Sequence, residues 1–206
     1  EAKLWLESAT DAMYTAFNRS NFQQEIFELY HDLITFGTAA MFIEEDEEDF
    51  IKFSTRHIDE VYIAENDKGR IDTIYRRFNL SARAVVQKFG TAVSQDILVL
   101  EKKDPYKEVE IVHAVYPRAD FNPTKKDKKN MPFESVYMEY KNGNELSVSG
   151  FKEFPFVVPR YLKASHEIYG RSPAMTALPD VKMLNEMVKT TIKAAQKQVD
   201  PPLLVP

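Results

Sequence analysis

The residues best suited to chemistry in this chain stand apart from one another. His31, His57, His113 and His166 are widely separated, and none forms the His-x-x-x-His or carboxylate pairing that zinc enzymes use. Ser135 and Ser149 lack the strand-to-helix context of a nucleophile elbow, and no glycine-rich phosphate loop occurs. The run Glu44-Glu45-Asp46-Glu47-Glu48-Asp49 lacks the glycine and alternate spacing of a calcium loop and reads as a solvated acidic loop. The sequence has no cysteine, which removes thiolate nucleophiles, thiolate metal sites and disulfides, and fits a chain made in a reducing compartment. The expectation is no catalytic residue, no metal and no cofactor. Electrostatics remains.

The clearest electrostatic feature lies near the C-terminal end. Lys182, Lys189, Lys193 and Lys197 recur on one stripe of a predicted helix, with Glu186 among them. Val181, Leu184, Val188, Ile192, Ala195 and Val199 recur at three- and four-residue steps on another. A solvated surface helix explains such a pattern by itself. Repeated around one axis, the same stripe becomes a positive collar whose screened, sequence-independent attraction suits DNA that must slide. A second basic feature, Lys125-Lys126-Asp127-Lys128-Lys129-Asn130, reads equally as a soluble turn guarding a sheet edge or as a partner contact.

The whole-chain balance gives no reason to expect nucleic-acid binding beyond such local features. The 206 residues carry 27 basic and 32 acidic side chains, a net charge of -5. With 44% apolar residues the chain is long enough to bury a core. The opening EAKLWLESATDAM is not laid out as a secretory signal, and no apolar run reaches the roughly 18 residues that span a bilayer, so no membrane association is expected. A start at Glu1 without methionine and an apolar finish at Asp200-Pro201-Pro202-Leu203-Leu204-Val205-Pro206 read as a piece of a longer polypeptide.

Around these features the periodicity changes twice. Leu4, Trp5, Met13 and Phe17 suggest a first helix, and Ser20-Asn21-Phe22-Gln23 offers a capping box for a second, which Gly37 stops. Short strands follow at 40–43, 50–54, 61–64 and 71–78, the last two joined by the turn Asp67-Lys68-Gly69-Arg70. Ser81 caps a helix that Gly90 ends, residues 94–100 form another, and strands resume at 109–116 and 135–140 before an Asn142-Gly143 turn. Ser172-Pro173 then starts a helix; Pro179 predicts a kink, or a handover to a longer helix from Asp180 to Val199.

The segment Tyr169-Gly170-Arg171-Ser172-Pro173-Ala174-Met175-Thr176-Ala177-Leu178-Pro179-Asp180-Val181-Lys182-Met183-Leu184-Asn185, followed by Asp200-Pro201-Pro202-Leu203-Leu204-Val205, resembles the head-to-tail connector (portal) family of short-tailed phages. Gly37-Thr38-Ala39-Ala40-Met41-Phe42, Tyr75-Arg76-Arg77-Phe78, Lys88-Phe89-Gly90 and Gly150-Phe151 with Phe154-Pro155-Phe156 extend the resemblance over nearly the whole chain. It implies an α+β structural protein with no enzymatic activity, a strand-rich antiparallel layer with N-terminal helices and a long C-terminal helix. Residues 1–170 would be wing-like, 171–199 a stem-like helical region and 200–206 the start of a clip.

The resemblance further implies a ring, usually a dodecamer, at a portal vertex of the virion, assembled in the bacterial host cytoplasm and used for DNA packaging and ejection. The implied partners are its own copies, double-stranded DNA held without sequence preference, capsid, scaffold, terminase and tail adaptor proteins. In that arrangement Lys182, Lys189, Lys193 and Lys197 face the DNA channel, and Val181, Leu184, Val188, Ile192, Ala195 and Val199 pack between subunits. The alternative is a soluble enzyme or ligand-binding α+β domain, which would need a convergent polar cleft.

Overall fold

The computed structural model describes residues 2–46, 50–125 and 127–199. Two helices, α1 (Ala2–Arg19) and α2 (Phe22–Phe36), lead into a hairpin of β1 (Ala40–Asp46) and β2 (Phe50–Arg56). The strands β3 (Val61–Glu65) and β4 (Ile71–Ser81) follow, then α3 (Ala82–Phe89), α4 (Gln95–Lys103), β5 (Glu108–Pro117), β6 (Phe133–Glu139), β7 (Glu145–Phe151), β8 (Phe156–Val157) and α5 (Pro173–Val199). The class is α+β, as expected. The strands form two antiparallel sheets: a three-stranded sheet in the order β2-β1-β8 and a five-stranded meander in the order β3-β4-β5-β6-β7.

The small sheet lies between α2 and the meander because both of its faces are apolar. On β1, Met41 packs with Phe53, Leu29, Ile26 and Leu33 against α2, while Ala40 and Phe42 turn the other way onto Val61, Ile63, Ile74 and Val115. Period-two alternation in a strand buried on both sides produces a continuous apolar run, which is what Ala39 to Ile43 is. The rest of the same meander face is covered by α3 and α4, whose Ala82, Val85 and Ile97, with Val93 between the helices, meet Phe78, Ile111 and Leu146. Burial of each large side chain in these layers contributes about 1.5–3 kcal/mol.

Local signals account for most boundaries. Gly37 ends α2 in the left-handed conformation at φ 80°, its N–H bonded to the Leu33 carbonyl. Ser81 accepts from the Ala84 N–H at the start of α3, and Gly90 follows its end. At α4 the cap is different: Ser94 turns its hydroxyl (2.7 Å) and its N–H (2.8 Å) to the carboxylate of Glu139, which Asn144 also holds at 3.1 Å. That buried carboxylate is thus satisfied by charge-assisted hydrogen bonds and ties the helical insertion to the β6–β7 hairpin.

Three expectations need correction. The capping box at Ser20 and Gln23 does not form: Gln23 turns to Asn18 and Ser20 to the Phe17 carbonyl. Asn21 and Glu25 are instead aimed at the outer edge of β2, where Asn21 pairs with both backbone groups of Phe53 (2.8 and 3.0 Å) and Glu25 accepts from the Thr55 N–H. Capping the strand edge with side chains removes a template for unwanted pairing. Second, Glu44 to Asp46 of the acidic run belong to β1; Glu47 to Asp49 lie outside the described residues. Third, Pro179 does not hand over to a new helix at Asp180, because α5 is one element from Pro173 to Val199. A proline this close to the N-terminus removes one intrahelical donor, and the carbonyl it frees, on the half-exposed Met175, is within reach of water.

Candidate channel helix and its root

The α5 helix spans 27 residues, about 40 Å at the standard rise. No residue of it is buried. Its root touches α2, and beyond that it projects from the body with large apolar groups in the open: Val181, Leu184, Val188 and Ile192 are 48 to 59% exposed. The apolar face therefore does not fold back onto the domain, as a self-contained interaction module would require. Lys182, Lys189, Lys193 and Lys197 share another face of the helix, at about 100° per residue, and all are exposed. Lys189 is bonded to Glu186 at 3.1 Å, so one of the four charges is compensated within the helix.

What fixes the direction of α5 is a root that sequence reasoning missed as a site. Ser172 caps the helix by accepting from the Met175 N–H at 2.9 Å, and the same hydroxyl donates to the Thr35 carbonyl at 2.8 Å. One buried side chain thereby serves the open N-terminus of α5 and the open C-terminus of α2. Ser172→Ala removes both bonds. It should lower stability by about 2 kcal/mol in chemical denaturation, with Ser172→Thr recovering part of the loss; a loss of under about 0.5 kcal/mol would show that the hydroxyl does not tie the helices.

Beside it, the Gly170 N–H donates to the buried Thr38 hydroxyl at 2.7 Å, and the Tyr161 N–H donates to the Gly37 carbonyl at 2.9 Å. Gly37 and Gly170 meet backbone to backbone: a Cβ on Gly170 would lie 2.2 Å from the Gly37 oxygen, and one on Gly37 would lie 2.5 Å from Gly170 and Arg171 backbone atoms. Tyr169 completes the root by closing the free edge of β3, its hydroxyl accepting from the Ile63 N–H (3.2 Å) and donating to the Val61 carbonyl (3.4 Å). Arg160 reaches Glu65 and the carbonyls of Ile168 (3.0 Å) and Gly69 (3.3 Å). Lys163 and Arg160 together hold the Glu65 carboxyl below the usual range. The two segments that meet here, 37–38 and 169–172, are among those quoted above for the family resemblance.

The histidines and serines are placed otherwise. His113 and Ser135 come together at 2.9 Å, but both are 2% exposed, and the imidazole is stacked on Tyr137 with ring centroids 3.9 Å apart. A Ser–His pair sealed between sheets meets no substrate. His31 and His57 share a surface groove between α2 and β2 with Phe27, Glu28, Asp32, Phe36 and Thr55. Its His57 imidazole is raised by a hydrogen bond to Asp59 at 2.6 Å. Among the described residues no three His, Asp or Glu side chains converge as metal ligands, and no helix is long and apolar enough to cross a membrane. His166 lies in the loop before the root, and Ser149 on β7.

Over 209 residues the chain is 35% identical to the portal protein of Salmonella phage epsilon15, covering 99% of this chain and 38% of that protein. It is 33% identical over 208 residues to the probable portal protein of Bordetella phage BPP-1, again covering 99% of this chain and 38% of the relative. The chain thus spans well under half the length of either. The family model for the bacteriophage head to tail connecting protein matches residues 1–206, root and helix included, and the chain belongs to that family.

Proposed function

We propose that this chain is the wing-like and first stem-like part of a portal subunit, a structural component of the virion that forms a ring around a DNA channel and joins head to tail. The observation that carries the reading is α5, a long helix hydrogen-bonded at its root and exposed along its length, with lysines on one face and aliphatic groups on another. In this reading residues 1–170 are the wing, 171–199 the stem-like region and 200–206, outside the described residues, the start of the clip. Val181, Leu184, Val188, Ile192, Ala195 and Val199 pack between neighbouring subunits, in a ring of twelve. Its further partners are capsid, scaffold, terminase and tail adaptor proteins, and assembly takes place in the cytoplasm of the bacterial host. The full-length protein, studied by light scattering with negative-stain imaging, should form closed rings; a strictly monomeric protein at high concentration would defeat the proposal.

The face of Lys182, Lys189, Lys193 and Lys197 is turned to the DNA. Each lysine-phosphate contact steepens the fall of log affinity with log salt by about 0.9. Replacing all four lysines by glutamine in the full-length ring should therefore lower that slope for double-stranded DNA by at least about 2 while leaving the rings intact. An unchanged slope would mean that this face does not meet DNA.

A further inference from the structure

The turn between β6 and β7 contains the one Asn-Gly step of the sequence; every other asparagine is followed by a residue with a side chain. Asparagine before glycine is self-reactive, because a glycine nitrogen with no Cβ beside it reaches the side-chain carbonyl carbon unhindered. Asn142 and Gly143 are both exposed, and a Cβ on Gly143 would meet nothing within 4 Å. The Gly143 N–H is held by the Glu139 carbonyl at 2.9 Å, so attack starts from the frayed turn. The consequence lies in what the turn touches. The Asn142 amide donates to the Glu139 carboxylate at 3.5 Å, and that buried carboxylate is the group that binds Ser94 at the start of α4.

We propose that Asn142 is a site of spontaneous deamidation, and that its conversion loosens α4 from the sheet. The Gly143 nitrogen gives its proton to solvent and attacks Cγ of Asn142. A new C–N bond closes a succinimide, and the side-chain amide nitrogen takes up a proton and leaves as ammonia. Water then opens the ring at either carbonyl, giving aspartate or isoaspartate, with no change of oxidation state. Both products put a second carboxylate where an amide donor stood. Like charges at this range, one of them buried, shift a local opening equilibrium by about tenfold or more. Isoaspartate also lengthens the backbone between Asn142 and Gly143, next to Asn144, whose side chain joins Glu139 (3.1 Å) to the Ala92 carbonyl (2.9 Å). The inference does not rest on the portal reading, which bears only on how long conversions accumulate in a particle that is not renewed.

Full-length protein aged at mildly alkaline pH and mapped by peptide mass spectrometry should show the amide-to-acid mass change at Asn142. Amide hydrogen exchange across Gln95–Lys103 should become about tenfold faster in the aged protein and in fresh Asn142→Asp, with β4 and β5 unchanged. Asn142→Gln, whose longer side chain closes its ring far more slowly, should pass through the same incubation without that change. An Asn142 amide that survives, in the folded protein, an incubation that converts it in the denatured chain would overturn the proposal. So would unaltered α4 exchange in Asn142→Asp, equal acceleration in β4 and β5, or the same acceleration in aged Asn142→Gln.

Discussion

Gly170→Ala is expected to lower the stability of the fold by about 3 kcal/mol or more, at or beyond the top of the range for overpacking. The added methyl would sit 2.2 Å from the Gly37 oxygen, 3.0 Å from Cβ of Arg160 and 3.1 Å from the Tyr161 nitrogen, and two of those three atoms are backbone. A side chain can rotate away from such a clash. A backbone moves only if α2, the 159–162 segment or the start of α5 moves with it, which breaks the Gly170–Thr38 and Tyr161–Gly37 hydrogen bonds. Gly170 does not adopt a positive φ, so the loss comes from volume; at Gly37, with φ 80°, the same clash adds to conformational strain. For a chain of this size the expected loss corresponds to a fall of about 6–12 °C in Tm. The contrasting variant is Gly143→Ala, at φ 66° with nothing within 4 Å, which should cost only about 1–2 kcal/mol. If thermal unfolding shows Gly170→Ala no worse than Gly143→Ala, the root is looser than its geometry and does not fix α5.

The root also marks the limit of what the sequence reveals. Its parts are visible one by one: Gly37 as a helix stop, Ser172-Pro173 as a helix start. Each signal is local, read from a few neighbouring residues and the conformation that only they allow. That the two places touch, Thr38 and Gly170 standing 132 positions apart, depends on how the small sheet lies on the meander, and no periodicity encodes that. The apolar run at Ala39 to Ile43 signals burial on both faces without naming what lies on either side. The capping box expected at Ser20 and Gln23 fails for the same reason. Polar residues beside a helix start suggest capping, and only the docked hairpin shows that they serve a strand edge instead. The lysine and aliphatic stripes of α5 were legible because they need only the helical period.

Acidification should weaken the fold through His113, and the size of that effect can be isolated. Burial holds its imidazole far below the ordinary value near 6.5, to about 3, with the cations Lys88 on α3, Arg76 on β4 and Arg56 on β2 adding to the depression. Ser135 and Tyr137 on β6, Phe42 on β1 and Phe156 on β8 complete its surroundings and offer the protonated ring no countercharge. Above pH 6.5 the ring is neutral folded or unfolded, and pH has no leverage through it. Below that value the unfolded chain takes up the proton first. Stability is then lost by about 1.4 kcal/mol per pH unit until the folded ring itself protonates near pH 3. Other groups titrate over the same range: His57, raised by Asp59, favours the folded state at low pH and so acts in the opposite direction. The comparison with His113→Asn, which removes the imidazole and keeps a hydrogen-bonding side chain at the site, cancels what the two proteins share. The variant should be less stable at pH 7, and its deficit should shrink by about 2–3 kcal/mol between pH 6.5 and 4.5. Equal slopes for the two proteins would mean that His113 takes up its proton as readily folded as unfolded, and that the space between the sheets is not sealed around it.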